Sequence, residues 1–168
     1  MILTVSPATP ADSALLAGLM QFYIYDFSEI APEGSRDYDV EPDGLFRPYP
    51  YLDAYWQEDG RWPLIFRLDG AAIGFALVNQ ISNRADGFVE RNMAEFFIMR
   101  QHRRRGLAAA ALAQVLKLHP GRWEVAVLDR NPGALAFWPK ALGAAGVNEL
   151  ERLDGGETWA GPVWTFTA

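Results

Sequence analysis

The sequence predicts a single α/β domain built on a mixed sheet, and three observations lead there. The chain has 168 residues, half of them apolar and 13% aromatic, which is one domain's length and enough apolar material for a packed core. Apolar residues repeat at spacings of two in some stretches and of three and four in others, giving the order β, α, loop, β, β, β, α, β, α, β, β. The stretch Met93 to Leu128 reads strand, loop, helix, strand, a βαβ crossover that puts a parallel pair among hairpins.

Ile2 to Val5 is short and rich in β-formers, an opening strand. Pro10 to Phe27 predicts a helix, with Leu15, Leu16, Leu19, Met20, Tyr23, Ile24 and Phe27 on one face and Gln21, Phe22, Tyr25 and Asp26 on the other. Ser28 to Asp43 is acidic and punctuated by Pro32, Gly34 and Pro42, the chemistry of a loop, and a short helix is expected around Tyr51 to Gln57. Pro63 to Leu68 and Ala71 to Gln80 flank Asp69-Gly70, a two-residue hairpin signal. Asn83 to Asn92 is a polar connection, and Met93 to Met99 a strand apolar on both faces except at Glu95. A helix from Gly106 to Leu118 stops at Pro120-Gly121, and Trp123 to Leu128 reads as a strand buried between layers. Asn131-Pro132 opens a last helix that Gly143 fits to end. Two strands around Asp154-Gly155-Gly156 close residues 1 to 168 as one domain.

Composition excludes several chemistries. With no cysteine there is no disulfide, thiolate metal site or cysteine acyl-enzyme, and with only His102 and His119 no dedicated transition-metal site is expected. The net charge of −6 argues against nucleic acid as a partner. No signal peptide or membrane span is evident, so a cytoplasmic protein with no membrane partner is the expectation. The charge is uneven: residues 1 to 60 hold eleven acids against two bases, whereas Arg100, Arg103, Arg104 and Arg105 fall within six residues.

That arginine knot precedes Gly106-Leu107-Ala108 at a strand-to-helix turn. Small residues there let a ligand approach the backbone, the first helical N–H groups and the helix dipole favour an anion, and the arginines add attraction. Together they describe a pyrophosphate cradle. Neither G-x-x-x-x-G-K-[ST] nor G-x-G-x-x-G with a following acid is present.

What the turn does match is the R/Q-x-x-G-x-G/A signature of the GNAT acetyltransferase superfamily, with Arg103, Gly106 and Ala108 at its fixed positions. Glu95-Phe96-Phe97-Ile98-Met99 resembles the family strand that runs beside the pantetheine arm of acetyl-CoA. Asn131 to Trp138 resembles the following element, an Asn-opened helix with an aromatic pair. Residues 65 to 143 resemble the family core, and the N-terminal helices match it in order and length.

The resemblance implies a twisted, mostly antiparallel GNAT-like sheet with flanking helices, and an acetyl-CoA-dependent N-acetyltransferase. Main-chain groups around Ile98 and Met99 would pair with pantetheine. The turn from Arg103 through Arg104, Arg105, Gly106 and Leu107 to Ala108 would hold the pyrophosphate, with Asn131 and Phe137 on the far side of the arm. Acetyl would pass directly to a bound amine through a tetrahedral intermediate stabilised by strand amides, with no metal.

Direct transfer needs a neutral amine, and Glu95, the one ionisable group in its apolar strand, is the candidate base; the competing reading is a solvated or arginine-paired strand-end glutamate. Many relatives place a tyrosine second in the aromatic pair to reprotonate the thiolate, but here Trp138 stands there, either as packing or leaving that task to Tyr25, to water or to no group. Tyr25 and Asp26 are candidates for the acceptor pocket. The acidic first third suits a small cationic amine or a basic peptide. The missing tyrosine motivates the alternative of a non-catalytic acyl-CoA-binding or sensor module. Edge strands near the C-terminus offer a surface for a homodimer.

Overall fold

The computed structural model describes residues 1–85 and 87–168; within the connection expected from Asn83 to Asn92, Asp86 lies outside the described residues. The strands are β1 (Leu3–Pro7), β2 (Arg61–Leu68), β3 (Ala71–Asn79), β4 (Arg91–Ile98), β5 (Arg122–Ala126), β6 (Asn148–Asp154) and β7 (Pro162–Thr167). The helices are α1 (Ser13–Ser28), α2 (Ala54–Gln57), α3 (Leu107–Leu118) and α4 (Pro132–Ala145). The sheet order is β1-β2-β3-β4-β5-β7-β6, with every described neighbour antiparallel except β4 and β5.

Each face of the sheet carries its own core. Leu64, Phe66, Val78, Met93, Trp123 and Val125 pack with Leu112, Val115, Trp138 and Leu142 of α3 and α4. Phe75, Leu77 and Phe97 pack on the other side with Leu16, Leu19, Met20 and Tyr55 of α1 and α2. The alternation of side chains along β3 accounts for the division, since Phe75 and Leu77 point one way and Ala76 and Val78 the other.

Several boundaries differ from expectation for identifiable reasons. β4 begins two residues early because Arg91 and Asn92 are shielded. Arg91 stacks over Trp62, 4.4 Å from the ring centroid, and buried Asn92 donates to Asn79 Oδ1 at 3.2 Å. The helix expected from Pro10 starts as a single 3-10 turn, Pro10–Asp12. α4 runs past Gly143 and ends at Gly146, whose φ of +66° is the left-handed cap that glycine adopts freely. The Asp69-Gly70 hairpin is as expected, with both residues at positive φ.

Two irregularities position the site. β4 and β5 pair at only two positions, Arg91 with Trp123 and Asn92 with Glu124, and beyond them the sheet forks. On the other edge of β4 the register jumps, with Leu77 opposite Glu95 but Val78 opposite Met93, so Ala94 is an unpaired bulge residue. A bulge shifts the side-chain phase by one. Glu95 therefore lies on the face of Phe97 and α1, rather than following Met93 into the α3 and α4 core.

Candidate active site at the fork of the sheet

Glu95 lies on β4 beyond its two pairs with β5, where the sheet forks. Its carboxylate accepts one hydrogen bond from the Tyr23 hydroxyl and another, at 2.8 Å, from the Tyr49 hydroxyl. Tyr23 projects from α1 into a nest of Phe27, Phe75 and Phe97, with ring centroids 4.7–5.8 Å away. Tyr49 comes from the long connection between α1 and α2. Burial pushes the Glu95 carboxyl up to about 7, against the two hydroxyl donors, which favour the ionised form and pull it down. The same burial, and the neighbouring carboxylate, push both tyrosines up, so they remain neutral donors. Of the two readings of Glu95, the arginine-paired one has no counterpart in the geometry: its described partners are hydroxyls.

Sequence reasoning missed Tyr49 entirely, and it placed Tyr23 in a stretch able to line the acceptor pocket without linking its hydroxyl to Glu95. Tyr23 falls in the apolar stripe of α1, where its hydroxyl is silent, and Tyr49 sits in a proline-rich loop. A carboxylate stranded in an apolar strand does signal that hydroxyl or amide donors must exist elsewhere. Gln21 shapes the loop that delivers Tyr49. Its side-chain amide donates to Phe46 O at 3.1 Å and accepts from Phe46 N at 2.8 Å, acting as a short surrogate strand.

Above Glu95, the end of β4 meets the arginine turn. Met99 N–H donates to Ile73 O, and Met99 O accepts from His102 N–H, so both Met99 main-chain groups are engaged within the protein. In an antiparallel ladder, pairing alternates, so Phe96 and Ile98 turn their main-chain groups toward β5 and the fork. Ile98 O already accepts from Arg103 Nε at 2.7 Å. Arg104 and Gly106 adopt φ of +58° and +76°, which curls the turn into the start of α3. Among the described residues no backbone carbonyl receives the N–H groups of residues 104 to 108, and a side-chain carbon built on Gly106 would meet nothing within 4 Å. Unpaired donors around open space at a helix N-terminus are what a pyrophosphate requires.

The arginines divide. Arg100 and Arg103 both pair with Asp26, and Arg100 also reaches Glu29 at 3.4 Å. Arg104 and Arg105 have no described ion pair. On the acceptor side, both oxygens of Asp26 are therefore committed to arginines, while Tyr25 is 58% exposed beneath the Arg100 guanidinium. Across the fork, Asn131 caps α4 by accepting from Ala134 N at 3.0 Å. Phe137 stacks on Phe96 with centroids 6.0 Å apart, and Trp138, only 6% exposed, packs against both rings. Trp138 is thus core packing.

The forked sheet brings together a turn of unpaired N–H groups at a helix N-terminus and a carboxylate of raised pKa, and the class to which this fold belongs is that of the acyl-CoA-dependent acyltransferases. Residues 22–144 match the profile of the Acetyltransferase (GNAT) family, and the chain belongs to that family of acetyl-CoA-dependent acetyltransferases. No curated protein matches the chain. Among solved structures it is similar to an acetyltransferase from Thermus thermophilus, at 21% identity over 99% of this chain and 96% of the other, TM-score 0.66. It is also similar to PaiA N-acetyltransferase from Thermoplasma acidophilum in complex with coenzyme A, at 12% identity over the whole of both chains, TM-score 0.61. A third is the diaminobutyrate acetyltransferase EctA from Paenibacillus lautus, at 14% identity over 99% of this chain and 95% of the other, TM-score 0.60. At these identities the likeness is one of fold. Among the described residues no helix is long and apolar enough to cross a membrane.

Proposed function

We propose that the protein transfers acetyl from acetyl-CoA directly to the amine of a small cationic molecule or basic peptide, with Glu95 as general base. The observation that carries this is the Glu95 carboxylate held by Tyr23 and Tyr49 at the fork with its pKa near 7. A base needs a pKa near the working pH to be ionised and still take a proton. Acetyl-CoA supplies the activated thioester. The N–H groups of Arg104 to Ala108 hold the pyrophosphate, and Phe96 and Ile98 line the arm with their fork-facing main-chain groups. Phe137 and the Asn131-capped start of α4 close its far side. Glu95 takes the first proton from the acceptor ammonium, directly or through water. The neutral amine attacks the thioester carbonyl, and the C–S bond breaks as the tetrahedral intermediate collapses. The second nitrogen proton passes to the departing CoA thiolate, directly or through water. The cationic class is supported by the connection from 29 to 53, which has seven acids against two arginines, both already paired to acids within it.

The buried, non-titrating Trp138 favours a second reading, a module that binds acyl-CoA without transferring it. A thiol-release screen of acetyl-CoA against polyamines, diamino acids, aminoglycosides and basic peptides separates the two. Release with an amine supports transfer; acetyl-CoA binding with no release from any acceptor favours the module; no acetyl-CoA binding removes both.

A further inference from the structure

We propose that Asp26 is a positioning residue for the cosubstrate site, bracing the arginine turn against the end of α1; this rests on the reading that the turn holds acetyl-CoA. Asp26 lies on the last turn of α1, yet its carboxylate, 16% exposed, gives Oδ1 to Arg100 Nε at 2.7 Å and Oδ2 to Arg103 Nη2. Arg103 carries the link onward. Its Nε donates to Ile98 O at 2.7 Å, and its guanidinium lies over the Phe97 ring, 5.5 Å from the centroid. One carboxylate thus ties α1 to the end of β4 and to the turn that starts two residues later.

The turn needs such a tie. Arg104 holds a left-handed backbone without being glycine, a conformation that persists only where the surroundings impose it. Cutting Arg100 and Arg103 loose would free two rotamer-rich side chains and let that backbone relax, scattering the N–H groups that face the fork.

Electrostatics makes the sign of the test informative. A carboxylate beside an anion site repels phosphate, so if Asp26 were only a bystander, its neutralisation would tighten acetyl-CoA binding. As a brace, its neutralisation weakens binding.

The experiment is calorimetric titration of acetyl-CoA into wild type, Asp26→Asn, Asp26→Glu, Arg103→Met and the Asp26→Asn/Arg103→Met double variant, each with a thermal melt. We expect Asp26→Asn and Arg103→Met each to weaken binding about tenfold, as removal of supporting partners does elsewhere. Asp26→Glu should recover part of the loss, and the double variant should be no weaker than the worse single one. Unchanged or tighter binding by Asp26→Asn, or additive losses in the double variant, overturns the brace. If Asp26→Asn does not fold, Arg103→Met decides: wild-type affinity there overturns it equally. Absence of binding by wild type removes the cosubstrate reading itself, a different result from any of these.

Discussion

Tyr49 donates its hydroxyl to Glu95 Oε1 across 2.8 Å, although 46 residues separate the two in the chain. Burial raises the proton affinity of this strand residue, and a loop between helices, together with Tyr23, pulls it part of the way back. Hydrogen bonds to charged groups are worth about 1.5–3 kcal/mol, so removing one moves a pKa by about one to two units. Tyr49→Phe should therefore shift the acidic limb of the rate profile upward from near pH 7 and lower turnover several-fold at neutral pH, recovering in alkali. A full pH profile of the variant checks this; a limb that stays in place would dissociate Tyr49 from the base.

Glu95→Gln should cut kcat at neutral pH by about a hundredfold or more, the scale of general-base removal, and by less at high pH where acceptor amines deprotonate unaided. An unchanged rate would take Glu95 out of the mechanism.

The same substitution should stabilise the fold. The folded pKa of Glu95 is raised from 4.5 to about 7, so its favourable contribution is complete below the unfolded value and is lost as pH rises through the folded one. At pH 8 the buried charge costs up to about 3 kcal/mol, which glutamine does not incur. Melting curves should show Glu95→Gln above wild type at pH 8, with the gap closing toward pH 4.

Gly106→Glu should abolish the rise in melting temperature that acetyl-CoA gives the wild type. The space beside Gly106 is open, so a carboxylate there enters the turn and repels phosphate, and a non-glycine residue at φ +76° adds about 1 kcal/mol of strain. Gly106→Ala, carrying the strain without the charge, should retain most of the ligand-induced shift.

Trp138→Ala should lower stability by about 3–5 kcal/mol, the usual cost of emptying a buried aromatic site. Chemical denaturation reads this directly. Loss well below that range would mean that Phe96 and Phe137 collapse into the space.

Much of this architecture is legible in the residues because strands buried on both faces need unbroken apolar runs, and hairpins need residues such as Asp69-Gly70. What escapes is encoded in residues with no distinctive signature. The bulge at Ala94 leaves no mark in composition, yet it decides which face Glu95 occupies. Asn92 reads as loop because its partner Asn79, which cancels its polarity, lies on another strand. The arginine turn stands out in the sequence through Gly106 and Ala108, because backbone approach to a phosphate demands small residues. Its charge is recognisable too, but not its division into paired and unpaired arginines, since Asp26 lies 74 and 77 residues from its partners. Glu95 stands out as the lone ionisable group of its strand, while the hydroxyls that tune it hide in a helix stripe and a proline-rich loop.

The two-pair joint between β4 and β5 also bears on how the molecule comes apart. Across so short a seam the two half-sheets share few ladder bonds, and α3, the polar chain from Asn79 through Asn92 and Asn83 to Glu124, and the common core of Met93, Trp123 and Val125 complete the joint. A ligand lodged in the fork adds its binding free energy at that seam. Hydrogen exchange should then slow at the main-chain amides of Phe96 and Ile98 and across β5 and β7 together, whereas the hairpin of β2 and β3 stays nearly indifferent to it.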